Sequence, residues 1–149
     1  MKRIIEKGYV MDAKIAEKKI ASFISSYFHS SGKKTAVVGL SGGLDSAATL
    51  ALCTFALGKK NVLAVLLPSS STPARDMLDA RLLAKKFGVK TQTIPIEPIM
   101  NSFGVLASGK IPSANLAART RMAILYSLAA RHAGLVVGTG DKSEFLLGY

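Results

Sequence analysis

A short segment in the first third of the chain combines the residue types that bind phosphate. Within six residues it holds two serines, two glycines and one carboxylate, in the order Ser41-Gly42-Gly43-Leu44-Asp45-Ser46. Glycine accepts positive φ without a side-chain clash, so Gly42 and Gly43 let successive backbone N–H groups converge on one anion. The serine hydroxyls can donate hydrogen bonds, and Asp45 can hold Mg²⁺ against phosphates. The segment predicts a site for a phosphorylated ligand; a tight turn without a ligand is the alternative.

A second cluster lies near the end of the sequence. It gathers a hydroxyl, a cation and two acids in one turn, Gly138-Thr139-Gly140-Asp141-Lys142-Ser143-Glu144. Such a combination suits phosphate and a metal ion. It is also compatible with a helix N-cap followed by charged residues in the first helical turn. Whether this cluster is a ligand site or only a helix start therefore depends on its position relative to the first cluster.

The elements around these clusters alternate between strands and helices. Short apolar runs predict strands, and apolar spacing of three and four residues predicts helices. The strands are expected in the apolar run that begins at Thr35 and at residues 61–67, 90–94 and 135–138. The helices are expected at residues 12–30, Leu44–Leu57, 73–87 and 113–132, with Thr72 as the N-cap of the third helix. This alternation predicts an α/β fold with a Rossmann-like, doubly wound parallel sheet and helices on both faces. Both clusters then follow strands and share the carboxyl edge of the sheet, where such folds bind ligands.

Three further expectations concern packing. The spacing of Ile20, Phe23, Ile24, Tyr27 and Phe28 predicts one helical face that packs on the rest of the fold. The helix Leu44–Leu57 is apolar nearly all round, so we expect it to pack on more than one side. Residues 96–112 contain glycines and prolines and are expected to form a mobile loop near the site. The two histidines lie near predicted helix ends and are expected to cap helices or face solvent.

Composition limits the classes of protein. The chain has 149 residues, of which 49% are hydrophobic, which excludes a disordered protein. Cys53 is the only cysteine, so an intrachain disulfide and a cysteine zinc cluster are excluded, and it is expected to be buried. The longest apolar stretch, residues 47–57, is too short to span a bilayer, and we expect a cytoplasmic protein without a membrane partner. The net charge of +11 comes from scattered lysine pairs, which favours attraction of nucleotides over a dedicated nucleic-acid surface.

Several motifs resemble one known family. The segment Ser41 to Ser46 resembles the pyrophosphate loop of the N-type ATP pyrophosphatases, and it lacks the Lys-Ser/Thr pair of a Walker A loop. Gly138 to Glu144, followed by Phe-Leu-Leu-Gly-Tyr, resembles the second motif of NAD synthetases, with Asp141 in place of the usual Asn. The segments 115–122 and 66–70 resemble that family's arginine-bearing helix and its adenosine pocket. The resemblance implies an ammonia-dependent NAD synthetase with the adenine nucleotide alpha hydrolase-like fold.

The resemblance assigns roles to individual residues. It implies ATP binding by Gly39, Leu40, Ser41, Gly42, Gly43, Leu44, Asp45, Ser46, Leu67 and Thr139. It makes Asp45 and Glu144 ligands of Mg²⁺, and Arg119 a contact to the dinucleotide substrate. Arg121 could take the role of Arg119, which would then be a surface residue. Lys142 could neutralise charge on pyrophosphate or face solvent, and no side-chain nucleophile is implied.

The implied reaction uses ATP, deamido-NAD and ammonia and proceeds through an acyl-adenylate to NAD, AMP and diphosphate. The family also implies a homodimer. We expect one domain over residues 1–149, with an N-terminal helical segment, residues 1–32, packed on it. The sequence stops at Gly148-Tyr149, inside the family pattern, which predicts a missing C-terminal part. The alternatives are a tRNA-thiolating ATP pyrophosphatase, although the chain lacks the cysteines commonly used in sulfur transfer, and a catalytically incomplete nucleotide-binding fragment.

Overall fold

The computed structural model describes residues 12–104, 109–140 and 142–147. These residues form four strands and six helices. The strands are β1 (Thr35–Gly39), β2 (Val62–Leu66), β3 (Lys90–Thr93) and β4 (Gly134–Val136). The helices are α1 (Ala13–Ser31), α2 (Leu44–Leu57), α3 (Ala74–Phe87), α4 (Glu97–Asn101), α5 (Lys110–Arg131) and α6 (Lys142–Leu147), and a short 3₁₀ turn, Lys59–Asn61, precedes β2.

The four strands form one parallel sheet in the order β3-β2-β1-β4. Val37, in the middle of β1, lies opposite Leu63 of β2 and opposite Val136 of β4. From β1 the chain adds β2 and β3 on one side of the sheet and then returns to add β4 on the other side of β1. The direction of winding therefore changes between β1 and β4. The predicted doubly wound parallel sheet is confirmed.

Helices cover both faces of the sheet. On one face Ala36 and Val38 of β1 pack with buried residues of α1, α2 and α3, among them Phe28, Leu50 and Ala84. On the other face Val37 packs with residues of α5, including Leu128. Successive residues of a strand point to opposite faces, so one apolar run of β1 supplies both cores.

The N-terminal helix packs through a narrower face than its sequence predicts. The Asp12 side chain caps α1 by accepting hydrogen bonds from the backbone N–H groups of Lys14 and Ile15, at 2.9 and 3.2 Å. Ile24 and Phe28 are buried as expected. The prediction was wrong for Ile20, Phe23 and Tyr27, whose side chains are 43%, 68% and 57% exposed. Helical spacing defines an apolar stripe about 100° wide or more, but the neighbouring helix covers only part of it.

Helix α2 is packed on several sides, as predicted. It contacts α1, α3 and the strands β1 and β2. Ser46, Leu50 and Cys53 are its buried residues, whereas Leu44 and Phe55 are exposed. The predicted burial of Cys53 is confirmed, and burial raises the pKa of its thiol to about 11.

Two segments differ from the prediction in detail. Helix α3 begins at Ala74 with Pro73 as its N-cap, because the Thr72 hydroxyl accepts a hydrogen bond from the Ser69 N–H at 2.9 Å and belongs to the preceding turn. Residues 96–112 were expected to be a loop, but they contain α4 and the start of α5. Their prolines fit helices because Pro98 and Pro112 lie in first turns, where backbone N–H groups have no intrahelical partner.

In the part of the chain that the structure describes, no helix is both long enough and apolar enough to cross a lipid bilayer.

His29 lies in the last turn of α1 and His132 follows the last residue of α5, as the sequence predicts. The single-domain organisation of residues 1–149 stays a prediction. Residues 1–11 of the predicted N-terminal segment lie outside the described residues.

Candidate nucleotide site

The candidate site lies where the winding of the sheet changes direction. The strands β1 and β4 are neighbours. The chain leaves β1 toward α2, on one face of the sheet, and enters β4 from α5, on the other face. Such a change in the direction of winding between neighbouring strands is where parallel α/β sheets form a ligand-binding crevice, at the carboxyl edge of the sheet. The two clusters predicted from the sequence occupy the loops after β1 and β4.

The loop after β1 is held in a tight curl by its own serines. The buried Ser46 hydroxyl donates to the Gly43 carbonyl oxygen at 3.0 Å and accepts from the Ser41 backbone N–H at 3.2 Å. The Ser41 Oγ lies 3.1 Å from the Ser46 Oγ and accepts from the Gly43 N–H at 3.2 Å. These contacts show that Ser46, predicted as an ATP contact, shapes the loop from within.

The start of α2 faces this curl without a side-chain cap. Gly43 is the N-cap residue, and no side chain caps the helix there. The first backbone N–H groups of an α-helix have no intrahelical acceptor, and the helix dipole adds positive potential at the same point. An uncapped helix start next to a Gly-rich loop is therefore suited to an anion such as phosphate.

Gly42 shows why the loop requires glycine. Its φ is +91°, in a region that L side chains rarely adopt. A Cβ at this position would overlap the backbone of Asp76, lying only 2.9 Å from the Asp76 Cα. The loop after β1, residues 39–46, which we call the phosphate loop, thus lies directly against the first turn of α3. Only a residue without a side chain allows this approach.

A cavity of about 670 Å³ opens beside the loop. Six of the predicted site residues line it: Gly39, Leu40, Ser41, Leu67, Arg121 and Thr139. The segment 68–73, which follows β2, forms a second wall, and Met77, Met122, Leu125 and Tyr126 add an apolar surface. The volume lies within the range of about 300–1,000 Å³ that is usual for small-molecule sites. The lining thus combines polar groups with apolar side chains, which suits a ligand with phosphates and an aromatic base.

The remaining predicted residues of the phosphate loop lie beside the cavity and do not line it. These are Gly42, Gly43, Leu44, Asp45 and Ser46. Arg119 also lies outside the lining and is exposed on α5. Of the two candidate arginines, Arg119 and Arg121, only Arg121 lies in the cavity wall.

Arg121 is fixed by a backbone carbonyl. Its Nε–H donates to the carbonyl oxygen of Leu67, at the end of β2, over 3.0 Å. Partial burial lowers the pKa of Arg121, and the nearby Glu97 carboxylate opposes this effect. Arginine keeps its charge at neutral pH in proteins, so a cation stands at the wall of the cavity.

The two predicted metal ligands stand at the starts of the helices that follow the loops after β1 and β4. Asp45 lies in the first turn of α2 and Glu144 in the first turn of α6, and both are exposed. A Cβ at Gly140 would lie 3.3 Å from the Glu144 Oε2, so this carboxylate lies close to the loop after β4. Among the described residues no group of three or more His, Cys, Asp or Glu side chains could hold a metal. Mg²⁺ is usually bound by one or two carboxylates together with phosphates and water, which this pair of carboxylates fits.

The second cluster contributes Thr139 to the cavity. This residue lines the cavity together with residues of the phosphate loop, as expected from the sheet topology. Lys142 is the first residue of α6, and Asp141 lies outside the described residues.

Sequence reasoning missed one contact at the cavity wall. Glu97, in α4, accepts hydrogen bonds from the Ser70 backbone N–H at 2.9 Å and from the Ser70 hydroxyl at 2.5 Å. These bonds hold the pKa of Glu97 below its usual value, the hydroxyl contributing most, and the Arg121 charge acts in the same direction. The two residues are 27 positions apart, and no local pattern indicates such a contact.

Comparisons with known proteins agree with this geometry. The family model described as NAD synthase matches residues 16–149. The chain is 45% identical over 139 residues to an NH(3)-dependent NAD(+) synthetase of Staphylothermus marinus, which covers 90% of this chain and 50% of that protein. An NH3-dependent NAD synthetase structure from Campylobacter jejuni, in complex with the nitrate ion, superimposes with a TM-score of 0.85 at 37% identity, covering 93% of this chain and 61% of that one.

A second solved structure carries a nucleotide. It is a glutamine-dependent NAD+ synthetase from Acinetobacter baumannii in complex with adenosine diphosphate, with a TM-score of 0.84 and 35% identity over 89% of this chain and 27% of that one. The chain spans about half the length of the curated relatives it matches. Since the family model covers most of the sequence, including both loops of the crevice, the chain belongs to the NAD synthase family.

Proposed function

We propose that this protein binds ATP with Mg²⁺ in the crevice and serves the ATP-dependent amidation of deamido-NAD by ammonia. The observation that carries the proposal is that one cavity is lined by residues of both loops, among them Ser41 after β1 and Thr139 after β4. Membership of the NAD synthase family supports ATP as a substrate. The chain spans about half the length of its curated relatives, so the comparison supports the family and the complete reaction is our proposal.

ATP is expected to lie with its phosphates toward the phosphate loop. The uncapped start of α2 and the backbone N–H groups of the curl offer several donors to a diphosphate. The apolar walls formed by Leu67, Met77 and Leu125 are suited to the adenine ring. This orientation puts the α-phosphorus in the open middle of the crevice, where a second substrate can reach it.

Asp45 and Glu144 are the residues that would hold Mg²⁺ at the phosphates. Both are exposed and stand at the starts of the helices that follow the loops after β1 and β4. Bound there, Mg²⁺ would neutralise charge on the diphosphate as it departs. Lys142 would add a positive charge at the start of α6.

The proposed chemistry has two steps. First, a carboxylate oxygen of deamido-NAD attacks the α-phosphorus of ATP, and the bond to the bridging oxygen of the diphosphate breaks. An acyl-adenylate and diphosphate result. Then the nitrogen of ammonia attacks the acyl carbon, the carbon–oxygen bond to AMP breaks, and the nitrogen loses a proton to give the amide of NAD.

This chain contributes positioning and charge neutralisation to these steps. Phosphoryl and adenylyl transfer need aligned substrates and fixed donors more than a protein nucleophile. Arg121 lies in the wall of the cavity, and Arg119 is exposed two residues earlier on α5. We propose that Arg119 contacts the dinucleotide and that Arg121 maintains the cavity wall.

The test is to incubate the chain with Mg²⁺, ATP, deamido-NAD and ammonia and to measure NAD, AMP and diphosphate together. The expected result is one AMP and one diphosphate per NAD. AMP without NAD, or sulfur transfer to tRNA, would favour the thiolation alternative. ATP binding without turnover would identify a catalytically incomplete nucleotide-binding fragment. An absence of ATP binding would contradict the proposal altogether.

The resemblance also implies a homodimer and a cytoplasmic protein, and both belong to the proposal. Sedimentation velocity of the purified chain, with and without ATP, tests the dimer. A mass of one chain at all concentrations would contradict it.

A further inference from the structure

The segment that follows β2 forms a wall of the cavity, and its successive backbone carbonyl groups accept hydrogen bonds from other parts of the chain. The carbonyl oxygen of Leu66 accepts from the Ile94 N–H, and that of Pro68 accepts from the Ile96 N–H, each at 2.9 Å. Between them the Leu67 carbonyl oxygen accepts from Arg121. Three consecutive carbonyls are thus bound by residues beyond β2, which fixes the path of the chain up to Pro68.

Beyond Pro68 the segment turns, and Glu97 holds the turn. Ser69 and Ser71 line the cavity, whereas Ser70, between them, does not. Ser70 instead donates both its backbone N–H and its hydroxyl to the Glu97 carboxylate. Because Ser70 is drawn outward, its two neighbours are presented inward.

We propose that Glu97 is a positioning residue, which holds Ser70 away from the cavity and thereby sets the segment 68–73 for contact with the nucleoside part of a nucleotide. This inference rests on the proposed function, since it assigns the nucleoside end of the same site. Helix α4, which carries Glu97, is anchored by the completely buried Ile96 and contacts α5. The carboxylate therefore has a rigid support, whereas the segment it holds has no regular secondary structure.

The chemistry of the contact favours a carboxylate. Two donors of one residue reach the two oxygens of Glu97, and an ionised acceptor forms stronger hydrogen bonds than a neutral one. An amide has one acceptor oxygen and no charge, so in Glu97→Gln the Ser70 hydroxyl and N–H can no longer donate to two ionised oxygens, and the contact is weakened. The lowered pKa of Glu97 agrees with an ionised acceptor.

The test separates the two ends of the nucleotide. Adenosine and inorganic pyrophosphate are titrated separately into the ¹⁵N-labelled chain, and their dissociation constants are measured by NMR. We expect Glu97→Gln to weaken adenosine binding about tenfold, as the loss of a charge-assisted hydrogen bond implies, and to leave pyrophosphate binding within about twofold. Ser70→Ala should weaken adenosine binding less than Glu97→Gln does, because its backbone N–H remains. Ser70→Thr keeps the hydroxyl and should bind adenosine like the wild type.

Glu17→Gln is the matched control. Glu17 is exposed on α1 and does not line the cavity, so this variant removes the same charge away from the site. It should bind both probes like the wild type. Unchanged adenosine binding in Glu97→Gln would overturn the inference, and so would an equal loss of both probes, which would indicate a general effect on folding.

Amide hydrogen exchange provides a readout without a ligand. Exchange at Ser70 should be faster in Glu97→Gln than in the wild type and in Glu17→Gln, because the hydrogen bond to the carboxylate is weakened or lost. If the wild type bound neither probe, the proposed function would fail, while exchange would still decide whether Glu97 positions the segment. Equal exchange rates in all three proteins would overturn that role.

Discussion

Gly42 concentrates two requirements in a single residue. It needs a positive φ, and it leaves no space for a Cβ against the backbone of Asp76. We predict that Gly42→Ala displaces the phosphate loop and weakens binding of ATP by about tenfold or more, since preorganised backbone donors are lost. Isothermal titration with ATP and Mg²⁺ measures the effect.

Gly32→Ala is the control for this prediction. Gly32 ends α1 with a φ of +67°, and a Cβ added there would meet no atom within 4 Å, so its substitution adds backbone strain without a steric clash. We expect a loss of stability of about 1 kcal/mol in this control with unchanged ATP binding. Equal ATP binding in the two variants would contradict the role assigned to the close approach of Gly42.

Cys53 gives a prediction about reactivity. Its side chain is completely buried in the core, and burial raises its thiol pKa to about 11 from a usual value of 9.0. The thiolate is the reactive form, so near neutral pH the shift alone should slow its reaction about a hundredfold. Labelling with Ellman's reagent should be slow in the native protein and rapid in guanidinium chloride.

A surface thiol calibrates this measurement. Ser30→Cys, in a Cys53→Ser background, puts the only thiol at an exposed position of α1. It should react rapidly with and without denaturant. Rapid labelling of native Cys53 would show that α2 opens far more readily than its buried position indicates.

At the residue scale, sequence reasoning predicted the Gly-rich loop after β1 better than the walls of the cavity beside it. The phosphate loop was predictable because Gly42, Gly43 and the serines act locally, over a few positions. Arg119 and Arg121 could not be separated, because both fit the same motif and only the fold shows which one reaches the cavity. Glu97 was missed because its partner Ser70 is distant in sequence and near only after β3 and α4 have formed.

At the scale of elements, the connection from α5 to β4 makes an unusual demand on Gly134. The turn is very short, and Ala133 takes a φ of 47° before the strand begins. Gly134 itself lies opposite Thr35 of β1, so close that a Cβ would overlap the Thr35 carbonyl oxygen. Here glycine is needed for the approach of two strands, whereas the positive φ falls on the preceding alanine.

We predict that Gly134→Ala destabilises the protein by about 1–3 kcal/mol, the usual cost of overpacking. The added methyl group must push β4 away from β1, and β4 has only three residues with which to hold the pairing. Urea unfolding followed by circular dichroism measures the change. Gly138→Ala is the control, since among the described residues no atom lies within 4 Å of its added Cβ, and it should change the unfolding free energy by less than about 0.5 kcal/mol. Equal stabilities of the two variants would contradict the prediction.

The elements most firmly predicted from sequence were those with a long or uniform pattern of apolar residues. The bounds of α2 agree with the prediction, because an apolar helix between a Gly-rich loop and Gly58 has clear ends. The helix α4 was not predicted, since proline and glycine nearby resemble a loop and a five-residue helix leaves little periodicity. The exposed side chains of Phe23 and Tyr27 also escaped prediction, because the width of a packed face is set by its neighbours and not by the helix.

At the scale of the whole molecule, topology explains why two distant segments form one site. The loops after β1 and β4 are about a hundred residues apart in sequence, but their strands are adjacent and parallel. The direction of winding changes between these two strands, and a crevice at the carboxyl edge is the usual consequence of such a change. Alternation of strands and helices in the sequence was enough to predict that both loops lie at the carboxyl edge, but the neighbouring positions of β1 and β4 became known only from the structure.

The net charge of +11 belongs to the same scale. Four exposed lysine pairs occur along the sequence, at residues 18–19, 33–34, 59–60 and 85–86, and the last three precede β1, β2 and β3. Together with the other basic residues they give the protein a positive field. Such a field attracts anions over distances comparable to the Debye length and increases their rate of association. It contributes much less to the rate of dissociation, which depends on contacts within the cavity.

We therefore predict that ionic strength controls how fast ATP arrives. Raising it from about 0.01 M to about 1 M shortens the Debye length from about 30 Å to about 3 Å and should slow association of a fluorescent ATP analogue by about tenfold or more. Stopped-flow fluorescence measures both rate constants, and a fluorescent adenosine analogue without phosphates is the control, with an association rate that salt leaves nearly unchanged. If salt acted instead on dissociation alone, the anion would be held by direct ion pairs within the crevice, and the scattered lysines would have no part in its capture.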